Sequence, residues 1–303
     1  MNGRLQTNLA FLIPSVIWGS TWYAIKFQLG VVNPLLSVSY RFLLAGILLI
    51  IICALGKKSL KFNSKAHMMF FFQGISLFGL NYWLVYLAEQ YLTSGIIAVI
   101  FSLIIFSNMV FSAIIMRSKI TWQIILGGVL AIIGTMLIFK EEFVQLLEEG
   151  IALQAIIMSL GSVILASLGN VVSAYNQKQN LPVVQTNAFG MLYGASALII
   201  IGLLKNIPLD FDIRISYLTS LAYLAIFGSV IAFNVYLKLL GKIGPSKAAY
   251  IVVVTPVIAM IFSTFFESYV WQKSSLAGIP ILVIGNLIAL DKIKPEKLIA
   301  RWR

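Results

Sequence analysis

Ten apolar runs, each close to 20 residues long, account for most of this chain: 9–28, 35–55, 67–88, 94–116, 120–139, 151–173, 183–204, 216–238, 246–266 and 274–290. A helix needs about 20 apolar residues to cross a ~30 Å hydrocarbon layer, where every backbone N–H and C=O must be bonded within the protein. None of the runs shows sustained apolar/polar alternation, which excludes a transmembrane β-barrel. Sixty per cent of the 303 residues are hydrophobic and 11% are charged, against about 25% charged in a soluble domain. So few polar residues cannot cover a surface in water, and the connections are too short for a separate soluble domain. The expected fold is an all-α membrane protein of ten transmembrane helices.

The formal net charge is +12, but the basic residues sit in short segments between apolar runs rather than on one clustered face, so nucleic acid is not the implied partner. Their placement reads instead as orientation. With the first residue inside, inner segments carry 16 Lys and Arg and outer segments six, while eight of the ten acidic residues fall outside. That bias places both termini in the cytoplasm. The first run contains Pro14, Trp18 and Trp22 and lacks a small-residue cleavage site, so it reads as a retained helix rather than a cleaved signal.

The second half can be laid on the first. At an offset of 153, Ser76, Asn81 and Leu84 meet Ser229, Asn234 and Leu237; at 152, Ser94 meets Ser246. At 151, Gly127 and Gly134 meet Gly278 and Gly285, and Gly19 meets Asn170; at 148, Pro34 and Gly46 meet Pro182 and Gly194. The expected units are therefore 1–145 and 146–303, five helices each, the second ending in a short basic tail. An odd number of crossings inverts the second copy, and inverted repeats of this kind support alternating access around a site near the midplane.

With the opening Trp18-Gly19-Ser20-Thr21-Trp22, then Lys26, Pro34 and Arg41, the entry Tyr91-Leu92-Thr93-Ser94-Gly95 to the fourth run, and Gly127-Gly128 and Gly134 in the fifth, the chain resembles the drug/metabolite transporter superfamily. Within it, the whole chain is similar to the EamA-type ten-helix proteins. Many of these carry proline in both the fourth and ninth helices; here Pro256 has no counterpart between Leu103 and Phe106. The resemblance implies a central cavity lined by helices 1, 3, 4, 6, 8 and 9, with helices 5 and 10 peripheral. It further implies export of amino acids, related metabolites or drugs, or in some intracellular bacteria import of host metabolites.

Substrate-binding candidates come from that placement. Asn81 and Asn234 are repeat mates in mid-helix, where a buried amide needs a partner: either a solute or a neighbouring helix. Trp18, Trp22, Tyr82, Phe101, Phe106 and Tyr250 are aromatic residues suited to a flat, apolar or cationic solute, or to plain packing. Ser102, Thr255 and Asn170 join them. Pro14, Gly19 and Pro256 are candidate hinges. Glu89, Arg41 and Lys26 are candidates for ion coupling or charge recognition, although charges near helix ends can also snorkel to the interface. The glycine pairs, spaced by seven, suit close helix packing.

A single histidine, His67, and a single cysteine, Cys53, leave no multi-histidine metal site, His-based triad or disulfide framework, and no phosphate-binding glycine loop is present. The sequence thus points away from an enzyme and implies no cofactor and no metal. The reading is a secondary transporter of a small metabolite, foremost an amino-acid exporter of the cell inner membrane. Alternatives are an importer of a nucleoside-like cation of the S-adenosylmethionine type, a multidrug exporter, and, outside transport, a membrane-embedded enzyme or scaffold. Expected partners are the substrate and the lipid bilayer, with a homodimer as one option and a monomer otherwise.

Overall fold

The computed structural model describes residues 3–138, 140, 151–244, 248 and 251–289. The acidic segment 141–149, Ser246, Tyr250 and the basic tail lie outside the described residues. Counting a helix that continues through a widened turn or a short break as one, the described residues form ten helical segments. These are α1 (Gly3–Lys26), α2 (Pro34–Leu55), α3 (Ser64–Ala88), α4 (Ser94–Met116), α5 (Trp122–Ile138), α6 (Ile151–Lys178), α7 (Val183–Leu204), α8 (Ile215–Ile243), α9 (Ile251–Phe266) and α10 (Lys273–Ala289). No strand occurs among the described residues. Six helices, α2, α3, α4, α6, α7 and α8, are long and apolar enough to cross a membrane. The apolar α5, α9 and α10 are shorter, at 17, 16 and 17 residues. The protein is a multi-pass membrane protein.

The lipid-facing surface explains the composition. On α5, Gly127, Ala131, Gly134, Thr135 and Ile138 are buried, while Ile125, Val129, Ile132, Ile133 and Met136 are exposed. Both sets recur at helical spacing, so the helix has an inner stripe and an outer stripe and both are nonpolar. Water would not tolerate the outer one; lipid requires it.

The inner stripe of α5 packs chiefly against α10. A Cβ on Gly134 would lie 2.8 Å from the Gly278 carbonyl oxygen, and one on Gly285 would lie 2.7 Å from that of Gly127. The seven-residue glycine spacing thus serves close backbone approach, pairing one peripheral helix with the other. A second such seam joins α3 to α7, where Gly74 abuts Gly190, and a Cβ on Gly79 would lie 3.4 Å from the Gly194 Cα. The starts of α2 and α3 are capped by asparagine: Asn33 Oδ1 accepts from the Leu35 N–H at 3.0 Å, and Asn63 Oδ1 from that of Ala66 at 2.9 Å.

Two helices change gauge midway. α3 widens into a π-helical stretch at Gly74–Leu80, immediately before Asn81, and α8 does so at Leu224–Ile231, shortly before Asn234. Such bulges leave a local mismatch in the i→i−4 ladder and concentrate at functional positions. α4 breaks differently. Ser102 and Leu103 form a tight turn in which the Ser102 and Leu103 N–H groups bond Val99 and Ile100 oxygens at 3.0 Å. The Ser102 hydroxyl also donates to Val99 O at 2.7 Å. In α9 the discontinuity comes from Pro256, which has no N–H for the Val252 carbonyl. The proline missing from the fourth helix therefore does not mean that this helix is unbroken.

Candidate functional site

The six helices α1, α3, α4, α6, α8 and α9 surround a cavity of about 50 Å³. α1 presents Trp18, Thr21, Trp22 and Ile25, positions i, i+3, i+4 and i+7 of one helical face. Opposite stand Leu77, Asn81 and Tyr82 of α3, Ala98, Phe101 and Ile104 of α4, and Ala166 and Asn170 of α6. Phe233 and Tyr236 of α8 and Val252 and Thr255 of α9 complete the wall.

The walls are largely aromatic. Trp18 meets both Phe233 and Tyr236 edge-on at 5.0 Å between centroids, and Trp22 meets Phe101 at 5.2 Å. These contacts are typical aromatic pairs and fix the box before any solute enters. The Trp18 indole N–H is held by the Gly228 carbonyl at 3.1 Å. By contrast, the Trp22 indole N–H is buried without a partner.

Asn81 is 1% exposed; its amide donates to Leu77 O at 3.0 Å, and its Oδ1 has no partner. Asn170 is similar: its amide donates to the Tyr236 hydroxyl at 3.2 Å and to Asn108 Oδ1 at 3.4 Å, leaving its own Oδ1 unpaired. α3 and α6 approach closely just there, because a Cβ on Gly169 would lie 3.0 Å from the Leu77 backbone. One asparagine from each half of the chain is thereby brought to a shared wall.

Of the residues singled out by sequence, Trp18, Trp22, Asn81, Tyr82, Phe101, Asn170 and Thr255 line this cavity. Asn234 does not. Its amide donates to Val230 O at 2.6 Å and its Oδ1 accepts from Asn187 at 3.2 Å. Asn187 in turn accepts from Gln73 at 3.1 Å, and Gln73 from Asn176 at 3.0 Å. Asn234 thus ends a chain of amides that ties α6, α3, α7 and α8 together. Ser102 is buried at the α4 turn, and Phe106 packs against Gly128 of α5. Gly19 faces Ile258, Pro14 is buried early in α1, and Pro256 borders a separate groove towards Asn286 of α10.

Of the three charged candidates, Lys26 and Glu89 lie at the end of the bundle where α1 and α9 finish and α4 begins, and Arg41 lies against Ser229 of α8. Lys26 Nζ donates to the carbonyls of Glu89 and Leu92, both at 2.6 Å, and lies 3.7 Å from Glu267 Oε1. Glu267 also receives the Ser94 N–H at 3.1 Å and the hydroxyls of Ser94 and Ser263, so it caps the start of α4. The Glu89 carboxylate is buried with both oxygens unpartnered. Burial pushes its carboxyl well above the ordinary carboxylate range, against the downward pull of Lys26. Arg41 is fully buried: Nε donates to Ser229 Oγ at 3.1 Å, and the guanidinium lies 4.5 Å from the Tyr82 ring. Neither Arg41 nor Glu89 snorkels. Glu267 was not singled out by sequence, because a lone carboxylate at a helix end looks like any interfacial charge.

Thr21, Phe233 and Tyr236 were also missed. Phe233 carries no readable signal: Leu80, which precedes Asn81 as Phe233 precedes Asn234, does not line the cavity. In α8 it is Phe233 that lines the cavity, while Asn234 bonds Asn187 of α7.

Comparisons with known proteins agree with this architecture. The model of the EamA-like transporter family matches the chain twice, at residues 5–140 and 153–290. The uncharacterized inner membrane transporter YedA of Escherichia coli (strain K12) is 30% identical over 288 residues, covering 91% of this chain and 88% of YedA. Protein PagO of Salmonella typhimurium is 25% identical over 291 residues, covering 95% and 93%. A solved crystal structure of 16% identity matches with a TM-score of 0.68 over 93% of this chain and 96% of its own, which speaks for the fold alone.

Proposed function

The chain belongs to the EamA-like transporter family, and from that premise we propose a secondary transporter that moves a small metabolite, foremost an amino acid, outward across the inner membrane by alternating access. In this reading ten helices cross the bilayer as two inverted five-helix units, with both termini in the cytoplasm. The observation that carries it is the cavity. Three helices from each half supply its wall, which closes on about 50 Å³ of space in this structure. A site at the interface of two repeats is where inverted-repeat carriers bind their solutes.

The Lys26, Glu267 and Ser94 cluster joins α1, α9 and α4 at one end, which in the proposed orientation is the outer end. Opening to the outside then requires α1 and α9 to part there, with Gly19 against Ile258 as the contact that slides. Reconstitution in proteoliposomes tests the reading. Preloaded labelled amino acids should leave the vesicles faster than from protein-free controls and exchange with unlabelled solute. Efflux at the control rate for every amino acid would refute export of that class.

A further inference from the structure

Among the described residues, Lys26 and Glu267 at 3.7 Å form the one ion pair that joins two helix ends, since Asp212 and Arg214 pair within a single loop. The pair ties the last residue of α1 to the residue that follows α9, and Glu267 reaches on to Ser94 at the start of α4. An open hollow of about 450 Å³ meets this knot, with Lys26, Gln90, Leu92 and Glu267 in its wall. Glu89 is not in that wall. Its carboxyl is buried, at 1% residue exposure, with both oxygens unpartnered, while the Lys26 ammonium bonds its backbone carbonyl.

The groups around Glu89 come from several helices. Lys26 of α1, Glu267 beyond α9 and Arg41 of α2 are the charges that act on it. Tyr82 and Tyr86 precede it by seven and three residues on one face of α3, and Tyr217 of α8 acts on Tyr86. Arg41 is itself buried, with Nη1 and Nη2 unpartnered, and forms no ion pair with Glu89. A carboxylate buried without a donor is untenable, so in this arrangement Glu89 holds a proton. Once the proton leaves, the charge left behind needs a partner. Lys26 is the cation that pulls hardest on it. Its ammonium has three hydrogens, and two already bond the Glu89 and Leu92 carbonyls. Giving the third to the Glu89 carboxylate takes it from Glu267.

We propose that Glu89 is the proton-operated release of this latch: protonated, it leaves Lys26 to Glu267 and holds the α1–α9 end shut, and ionised, it draws Lys26 away so that this end parts. Such a release deepens the transport reading and rests on it, because one carboxyl then controls outward opening. The proton passes to water in the hollow by way of Lys26. Burial holds the carboxyl well above the ordinary carboxylate range, so the latch stays shut at acid pH and lets go as pH rises.

Ile25 lines the cavity beside Lys26 and is 2% exposed, so a cysteine there meets an impermeant reagent from that end only when the end parts. Ile25→Cys is made in a Cys53→Ala background. Its labelling by a membrane-impermeant maleimide is followed in right-side-out and inside-out vesicles equilibrated between about pH 5.5 and 8.5. Thiol ionisation speeds every variant alike, so the quantity read is the ratio to the same protein carrying Glu89→Gln, which stands for the protonated carboxyl. That ratio should rise about tenfold or more across the range, from one side of the membrane only. Glu267→Gln and Lys26→Met each remove one arm of the latch, and either should label fast at every pH even beside Glu89→Gln. A ratio constant within about twofold, or latch variants labelled as slowly as the unaltered latch at acid pH, overturns the proposal. Labelling involves no solute, so the transport reading fails separately. A rising ratio without efflux of any solute would keep the latch and refute transport, and a rise confined to inside-out vesicles would keep the latch and reverse the proposed orientation.

Discussion

Asn81 and Asn234 make the same bond and meet different fates. Each donates its amide to the carbonyl four residues back, Leu77 at 3.0 Å and Val230 at 2.6 Å. The Asn234 oxygen is then taken by Asn187, while that of Asn81 is left in the cavity wall. Repeat-related residues have thus divided into one that holds the bundle and one that faces its interior.

The two asparagines should accordingly fail differently. Asn234→Ala removes an interhelical bond and leaves Asn187 short of a partner, at a cost of about 1 kcal/mol. Asn81→Ala removes only the bond to Leu77 O within its own helix and an oxygen that bonds nothing, so stability should move less than in Asn234→Ala while flux falls at least tenfold. Unfolding midpoints in detergent read the first, and proteoliposome efflux the second. Equal effects of both variants on both measurements would contradict the division.

Gly134→Ala should open the α5–α10 seam. The added methyl would lie 2.5 Å from the Leu282 backbone nitrogen and 2.8 Å from Gly278 O, and backbone cannot step aside as a side chain can. Overpacking of this kind costs about 1–3 kcal/mol. Because the seam is remote from the cavity, ligand-induced stabilisation should persist in the variant. An unfolding midpoint equal to that of the unaltered protein would show that the helices can separate freely.

At Gly19 the obstacle is a side chain. A methyl there collides with Ile258 of α9, so Gly19→Ala should lower both stability and flux, and Ile258→Ala in the same protein should restore part of each. A double-mutant cycle measures the coupling, expected at about 0.5–3 kcal/mol for residues in contact. Simple additivity would mean that α1 and α9 do not meet there.

The Glu89 carboxyl is held above the ordinary carboxylate range by burial, with Lys26 pulling it down, Glu267 pushing it up and Arg41 pulling it down. The folded state therefore keeps a proton that the unfolded chain releases at lower pH. Stability from this site is full at acid pH and declines as pH rises past the ordinary carboxylate range. Unfolding midpoints of the unaltered protein should fall as pH rises above the ordinary carboxylate range, and Glu89→Gln should flatten that fall. Parallel curves for the two proteins would remove Glu89 as the cause.

Much of this was legible in the chain. The α1 face of Trp18 and Trp22 could be read because a helix repeats every 3.6 residues, and the glycine pairs of α5 and α10 because small residues at one spacing permit one kind of contact. The cavity share of α8 was not legible. A pattern read along the chain carries Asn81 onto Asn234, but which of the two finds a partner depends on Asn187, a residue of another helix that the repeat does not reveal. Arg41 was read as an interfacial charge for a related reason. Sequence shows its distance from the helix start, whereas its burial depends on Tyr82, Phe42 and Ser229, which come from its own helix and two others.

The widened turns also carry a date. They occupy overlapping positions in α3 and α8, each ahead of its asparagine, and both halves match the same family model. An insertion that disturbs the ladder of its helix has little reason to arise twice at one place. Duplication of one unit would hand the same widened turn to both copies. What diverged afterwards was the company each asparagine kept.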